Sequence, residues 1–317
     1  MRRMSGAAGS QEKDYLAAEE PLEIRVEGQS VAVVMRTPGE DRELAAGFLV
    51  TEGLVRVARD VIEIRHQSHC LVPPQELVPR VSPGASKMRS HMSGQQTPPN
   101  SAGLKPGSRL NLSDGNLVNV RMRHPESLDL KRLTRHVFSS SSCGICSKTS
   151  IDAVRQQFPP IQDDFQIDPQ LLPGLPAALV SAQATFKRTG GLHACGLFDH
   201  TGQLLVLRED VGRHNALDKV VGWALLGNRL PLRRHILLLS GRTSFEMMQK
   251  ALAAGIPMIA AISAPSSLAV DFARESGQTL VGFLRGNRMN IYAGAARLRD
   301  GSGNPNGGLC LSSKNSK

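Results

Sequence analysis

The sequence predicts an α/β protein on three observations. From Leu171 onward, short aliphatic runs alternate with segments of helical period, the pattern of strands joined by helices. The N-terminal part opens instead on two alternating runs around a glycine turn, followed by one amphipathic helix, which predicts a smaller α+β unit. Residues 66–116 carry no hydrophobic period at all. The expected organisation is a disordered leader over 1–18 and an N-terminal α+β domain over 19–135 with a disordered insertion at 66–116. An α/β domain follows over 136–299, with a cysteine loop at 139–148, and a disordered tail covers 300–317.

Taken in order, residues 22–26 and 31–36 alternate as strands, and Gly28 in the turn between them makes a hairpin. Residues 43–50 place Leu44, Phe48 and Leu49 at helical spacing, with Asp41 as the expected cap and Gly53 as the stop. Strands are expected at 61–65 and 117–121, adjacent in space so that they close across the insertion. Thr149-Ser-Ile-Asp152 has the form of a capping box, and the helix it opens ends at Pro159-Pro160. The second part then gives a helix at 176–184, a strand after Gly191, a strand at 204–207 and a helix to Leu226. Strands at 236–240 and 257–262, each followed by a helix (through Ala254, then 266–275), lead to strands at 279–284 and 289–292.

The chain holds 317 residues with 38 Lys+Arg against 28 Asp+Glu, a net charge of +10. Much of the excess lies between Arg80 and Arg135. A nucleic-acid surface would interleave such charge with aromatics, and one Trp and two Tyr do not supply them, so nucleic acid is set aside as a partner. A basic cleft for a phosphorylated small molecule stays open. The basic N-terminus lacks the apolar stretch of a signal peptide, and no apolar run has the length to span a bilayer. Five cysteines, at 70, 143, 146, 195 and 310, do not form a disulfide framework and point to a reducing, cytoplasmic setting. A homodimer is the default expectation for oligomeric state.

Chemistry is expected first at Ser139-Ser-Ser-Ser-Cys143-Gly144-Ile145-Cys146-Ser147-Lys148. The serine run and Gly144 deliver a thiol pair to the surface, and a helix N-terminus downstream together with Lys148 favours thiolate, the reactive form. Buried structural cysteines would sit among apolar neighbours, which this stretch lacks. The spacing supports three chemistries. Zinc needs further ligands, and His193 and Cys195 would serve only if the fold brought them near. A redox pair normally sits within a βαβ pattern that is absent at this point. In a sulfur relay, a thiolate accepts sulfane sulfur from a persulfide and passes it on. The spacing alone does not choose among them.

A second candidate gathers Gly190, Gly191, His193, Asp210, Arg213 and His214, where glycines and titratable groups crowd a loop-to-helix junction. That density favours a cleft over a solvated face. A third is Arg285-Gly286-Asn287-Arg288, directly after a strand. Two arginines there suit phosphate oxygens, although a solvated surface turn has the same composition.

The stretches Leu44-Ala-Ala-Gly-Phe-Leu-Val-Thr-Glu-Gly53, Ser142-Cys-Gly-Ile-Cys-Ser-Lys148, Glu209-Asp-Val-Gly-Arg-His-Asn-Ala-Leu-Asp-Lys219, Ser240-Gly-Arg-Thr-Ser-Phe-Glu246 and Phe283-Leu-Arg-Gly-Asn-Arg-Met-Asn-Ile-Tyr292 occur in this order. Together they resemble the FdhD family, the formate dehydrogenase accessory sulfurtransferases. The resemblance implies a cytidine-deaminase-like three-layer domain that no longer deaminates. His193-Ala-Cys195 lacks the glutamate of the deaminase motif, and no Pro-Cys-x-x-Cys follows it. It also implies that Cys143 takes sulfur as a persulfide from a cysteine desulfurase, with Cys146 assisting. The sulfur then passes to the molybdenum or tungsten bis-molybdopterin guanine dinucleotide cofactor before its insertion into formate dehydrogenase. The family's cofactor-binding segment corresponds to Phe283, Leu284, Arg285, Gly286, Asn287 and Arg288, and no structural metal is expected. The alternative is a non-catalytic chaperone that carries the cofactor. The 66–116 insertion departs from the family's pattern, and Cys70, Cys195 and Cys310 receive no role.

Overall fold

A computed structural model of the chain describes residues 2–5, 8–11, 13–67, 115–127 and 158–299. Cys143, Cys146, the rest of the cysteine loop and the expected helix after Thr149 lie outside the described residues, as do Cys70 and Cys310. The leader, expected to be without structure, carries an antiparallel hairpin of β1 (Arg2–Ser5) and β2 (Ala8–Gln11), with Ser5 opposite Ala8. Its strands have no apolar alternation, so periodicity gave no signal for them.

The first large sheet has four strands in the order β4-β3-β6-β5. β3 (Glu20–Val26) and β4 (Gln29–Arg36) are joined by Glu27 and Gly28, both at positive φ, which suits the right-handed twist of a tight hairpin. β5 (Val61–His66) pairs antiparallel with β6 (Leu117–Met122), so the insertion leaves and returns between neighbours. Helix α1 (Asp41–Thr51) lies between β4 and β5 in the chain, and Gly53 at φ 76 follows its end. Asp41 does not cap it. Arg36, almost fully buried, needs a counter-charge and takes both Asp41 oxygens, each at 2.9 Å, while Asn116 Oδ1 accepts a third bond at 2.9 Å.

The second sheet has six strands in the order β12-β11-β10-β9-β7-β8. The expected helix at 176–184 is two helices, α2 (Leu175–Ala182) and α3 (Ala184–Thr189), broken at Gln183. The break lets Glu209 accept from the amides of Thr185 and Phe186 at 2.9 and 2.8 Å, filling the free donors of the second helix start. β7 (His193–Phe198) and β8 (Leu204–Asp210) form a hairpin, and β8 runs three residues past its sequence-expected end. Its last residues are polar, yet Arg208 is held by Glu43 and Asp210 by Lys219, so they pair like strand residues. Then follow α4 (Arg213–Leu226), β9 (Ile236–Leu239), α5 (Phe245–Ala253), β10 (Met258–Ala261), α6 (Ser267–Glu275), β11 (Thr279–Arg285) and β12 (Arg288–Ala293). β9, β10 and β11 run parallel, and β12 and β7 are antiparallel to their neighbours.

Alternation along the six-stranded sheet builds two cores. Cys195, Leu197, Leu237, Leu239 and Ile259 face a core shared with β3, β6, α1, α4 and α5. Ala194, Phe198, Ile236, Leu238 and Met258 face the opposite way, against Phe165, Leu172, Leu175 and Leu179. The molecule is thus a mixed α/β protein with helices between its two sheets and a second helical cover outside the larger one. Helix α4 is the innermost element, buried from Ala216 through Gly222, so its charges require partners inside. Asp218 accepts from Lys250 at 2.8 Å and from Thr51 at 2.9 Å, and Lys219 donates to Asp210 at 2.9 Å.

Candidate functional site

The carboxyl ends of parallel strands in an α/β sheet form one edge, and the helices that follow them present their N-termini there. Here the edge is unusually populated. β9 and β10 end together, Leu239 beside Ala261, and Phe283 of β11 donates its amide to Ser263 O at 3.1 Å just beyond. β7 runs the other way, so its first residue, His193, lies at the same edge and pairs with Asp210, the last of β8. Helices α4, α5 and α6 all begin here with their positive dipole ends, the first two without a side-chain cap and α6 capped by Ser266, whose Oγ accepts from the Ala269 amide at 3.2 Å.

The structure therefore brings the two sequence-predicted groups to one margin. Phe283–Arg288 and the His193–His214 group stand three strand spacings apart, about 14 Å. Within the first group, Phe283 is exposed at φ 53 where the β11–β12 register shifts, and Gly286 at φ 51 opens the two-residue turn. Arg285 donates to Ile262 O at 3.0 Å from an exposed position, and Asn287 and Arg288 are exposed. Leu284 points the other way, fully buried in the outer core, so its side chain anchors the turn and does not face the edge.

In the second group, Gly190 at φ 66 closes α3, and Gly191 is exposed two residues before His193. The His193 ring lies so close to Gly241 that a side-chain carbon there would sit 3.2 Å from Nδ1. Burial, then the charges of Arg213 and His214, hold its pKa below the ordinary value against the opposing pull of Asp210. It is thus an unprotonated imidazole at neutral pH, able to accept a proton. Arg213 and His214 open α4, and Arg213 Nε and His214 Nε2 are buried without a hydrogen-bond partner. Asp210 lies beneath the edge, completely buried.

Sequence reasoning missed the residues between the two groups. The turn after β9, Ser240-Gly241-Arg242-Thr243-Ser244, leads into α5, and Thr243 Oγ1 is a third buried oxygen or nitrogen without a partner. Glu246 in the first turn of α5 accepts from Ser244 Oγ at 2.8 Å and faces His214 Nε2 at 3.5 Å, too long for a well-formed hydrogen bond but close for a charge contact. A glycine turn between a buried strand and a helix was the signal that would have found them.

The His214 contact is the largest influence on Glu246 and, with the Ser244 hydroxyl and against burial, holds its carboxyl down to about 2. A carboxyl depressed on folding stabilises the fold above its ordinary range and loses that contribution as the pH falls toward the folded value. Glu246→Gln should therefore lower the melting temperature at pH 7, with the difference from the parent closing as the pH drops from 4.5 to 2. Thermal melts followed by circular dichroism measure this, and a gap that persists at pH 2 would contradict the assignment.

Cys195, the free cysteine among the described residues, is buried, and burial first and Asp218 second push its thiol far above the ordinary range. It has no nucleophilic role at neutral pH. Among the described residues no group of three or more His, Cys, Asp or Glu side chains is placed to hold a metal ion, and no helix is long and apolar enough to cross a membrane.

The fold and this margin define a class: a mixed α/β protein with arginine, imidazole and helix-terminal donors collected along one sheet edge, a setting for an anionic ligand. Comparison with known proteins specifies it. A model of the FdhD/NarQ family matches residues 17–299, and the chain belongs to that family. It is 44% identical to the sulfur carrier protein FdhD of Nocardia farcinica over 299 residues, covering 94% of this chain and 92% of the relative. It is 47% identical to the sulfur carrier protein FdhD of Streptomyces avermitilis, with 93% of each covered. The fold is shared with the crystal structure of a formate dehydrogenase accessory protein from Desulfotalea psychrophila, at a TM-score of 0.65 and 22% identity over 94% of this chain and 97% of that one.

Proposed function

We propose that the protein is a sulfurtransferase for formate dehydrogenase maturation, taking sulfur as a persulfide on Cys143 and passing it to a bis-molybdopterin guanine dinucleotide cofactor of molybdenum or tungsten. Family membership, with close relatives that are sulfur carriers, supports the sulfur chemistry. The observation that carries the acceptor is the convergence of Phe283, Arg285 and Arg288 with Arg213, His214 and three helix N-termini on one sheet edge. The orphaned Arg213 Nε and Thr243 Oγ1 fit phosphate oxygens, and the exposed Phe283 ring fits a base. In this reading the α/β part is a cytidine-deaminase-like domain put to binding, and the protein works in the cytoplasm.

In the loading step, the Cys143 thiolate attacks the outer sulfur of a persulfide carried by a cysteine desulfurase. The donor's S–S bond breaks, its cysteine leaves as thiolate with the electron pair, and a new S–S bond leaves the persulfide on Cys143. Cys146 assists: if the acceptor is absent, its thiolate attacks the inner sulfur on Cys143, forming a Cys143–Cys146 disulfide and releasing the outer sulfur as hydrosulfide. Incubation with a cysteine desulfurase and cysteine, followed by mass spectrometry, should show one added sulfur on the peptide containing Cys143 and none in Cys143→Ala. An adduct that survives in Cys143→Ala refutes the assignment.

A further inference from the structure

The pair Asp210–Lys219 has an odd position for an ion pair: both side chains are completely buried, directly beneath the residues that face the edge. Two buried charges are not the cheapest way to hold a fold together, because desolvation offsets most of their attraction and an apolar pair of similar volume does as well or better. What an apolar pair does not provide is direction. Asp210 Oδ1 accepts from the Gly212 amide at 2.8 Å and from Asn215 Nδ2 at 3.0 Å, and its Oδ2 takes the Thr37 amide at 3.2 Å and Lys219 at 2.9 Å. Lys219 donates in turn to Thr37 O at 3.0 Å, with Glu209 O at 3.5 Å and Glu40 at 3.7 Å around it. Asn215 also reaches Met35 O at 2.7 Å, and Val211 donates to Thr37 Oγ1 at 3.1 Å.

The loop after β4 is thus fixed to a stretch far from it in sequence, the end of β8 and the first two turns of α4. Gly212 and Asn215 flank Arg213 and His214, so Asp210 holds the backbone amide on one side of the two residues and the Asn215 side chain on the other, with Arg213 Nε buried and without a hydrogen-bond partner between them. We infer that Asp210 and Lys219 are positioning residues, which with Thr37 aim Arg213 and His214 at the anionic part of the ligand bound along the edge. The inference rests on reading that edge as the nucleotide-binding site. It makes the four-stranded sheet part of the site's construction, through Met35 at the end of β4 and Thr37 just after it.

The test uses the full chain and guanosine diphosphate as probe, measured by calorimetry. The obvious single variant, Lys219→Met, leaves a buried carboxylate unpaired, so it is combined with Asp210→Asn to remove both charges, and folding is checked by thermal melting. The folded double variant should bind the probe about ten-fold more weakly, the size of one charge-assisted hydrogen bond. Arg213→Ala should lose a similar factor alone and nothing further in the double-variant background, a non-additivity that a merely structural pair would not produce. Parent-like binding by the folded double variant, or a full extra loss from Arg213→Ala within it, overturns the inference. Should the double variant fail to fold, Thr37→Val, which removes only the hydroxyl that accepts from Val211, is held to the same two criteria. Phe283→Ala separates the two levels. If it weakens binding while the positioning variants do not, the positioning role alone falls; if neither it nor Arg213→Ala weakens binding, the edge is not the nucleotide site and the inference falls with it.

Discussion

Gly222→Ala should lower stability by about 3 kcal/mol or more, the upper range for overpacking, because the clash is with backbone. Helices α1 and α4 cross with glycine on each side of the contact. A side-chain carbon on Gly222 would lie 1.8 Å from Glu43 O, and one on Gly47 would lie 1.7 Å from Asp218 O. Neither helix is free to move away. Asp218 is tied to Lys250 and Thr51, and Glu43 to Arg208 of the larger sheet at 2.6 Å. The crossing also lies within the core shared by both sheets, so separating the helices would open that core from the middle. Gly47→Ala should behave the same way, whereas Gly174→Ala, which meets nothing within 4 Å, should be near neutral. Urea unfolding gives the comparison through the midpoint at constant slope. A Gly222→Ala protein within about 1 kcal/mol of the parent would mean that the helices do not cross this closely.

Cys143→Ala should abolish formate dehydrogenase maturation, leaving cells that carry it with the activity of cells lacking the protein. In the proposed relay Cys143 is the atom that accepts sulfane sulfur and Cys146 only assists, while the buried thiol of Cys195 stays protonated and does not substitute for it. The variant should still fold and bind guanosine diphosphate, because none of the residues along the sheet edge is altered. Cys195→Ala should keep full maturation activity and lose only a little packing. Formate-dependent dye reduction in cell extracts measures all three proteins. Full activity with Cys143→Ala would instead establish the non-catalytic carrier, for which the bound cofactor is cargo and sulfur is incidental.

Much of this protein was legible from local pattern. The hairpin at Glu27–Gly28, the strands at β9, β10 and β11, the helix α6 and the turn at Gly286–Asn287 all follow from residues within a few positions of one another. Their signals are hydrophobic period and glycine at the turns, and each is complete within a single element. Two of the three candidate segments were visible for the same reason, as polar clusters where a strand gives way to a loop. The expected cap at Asp41 and the unbroken helix at 176–184 were wrong because each depended on a distant partner. Arg36 claims Asp41, and Glu209 rewards the break at Gln183.

By itself, then, the sequence determined the elements, their order, the cysteine pair and the family resemblance. Only the tertiary structure decided that β7 runs back beside β9, which places His193 on the margin that Phe283 and Arg285 also reach. It alone turned Asp210 from a cleft residue into a buried support, sent Leu284 into the core and brought Glu246 against His214. The physical reason is the range of the interactions. Backbone periodicity and turn chemistry are settled by neighbours in the chain, whereas the partner of a buried charge is whatever group the packed sheets bring within about 3 Å of it.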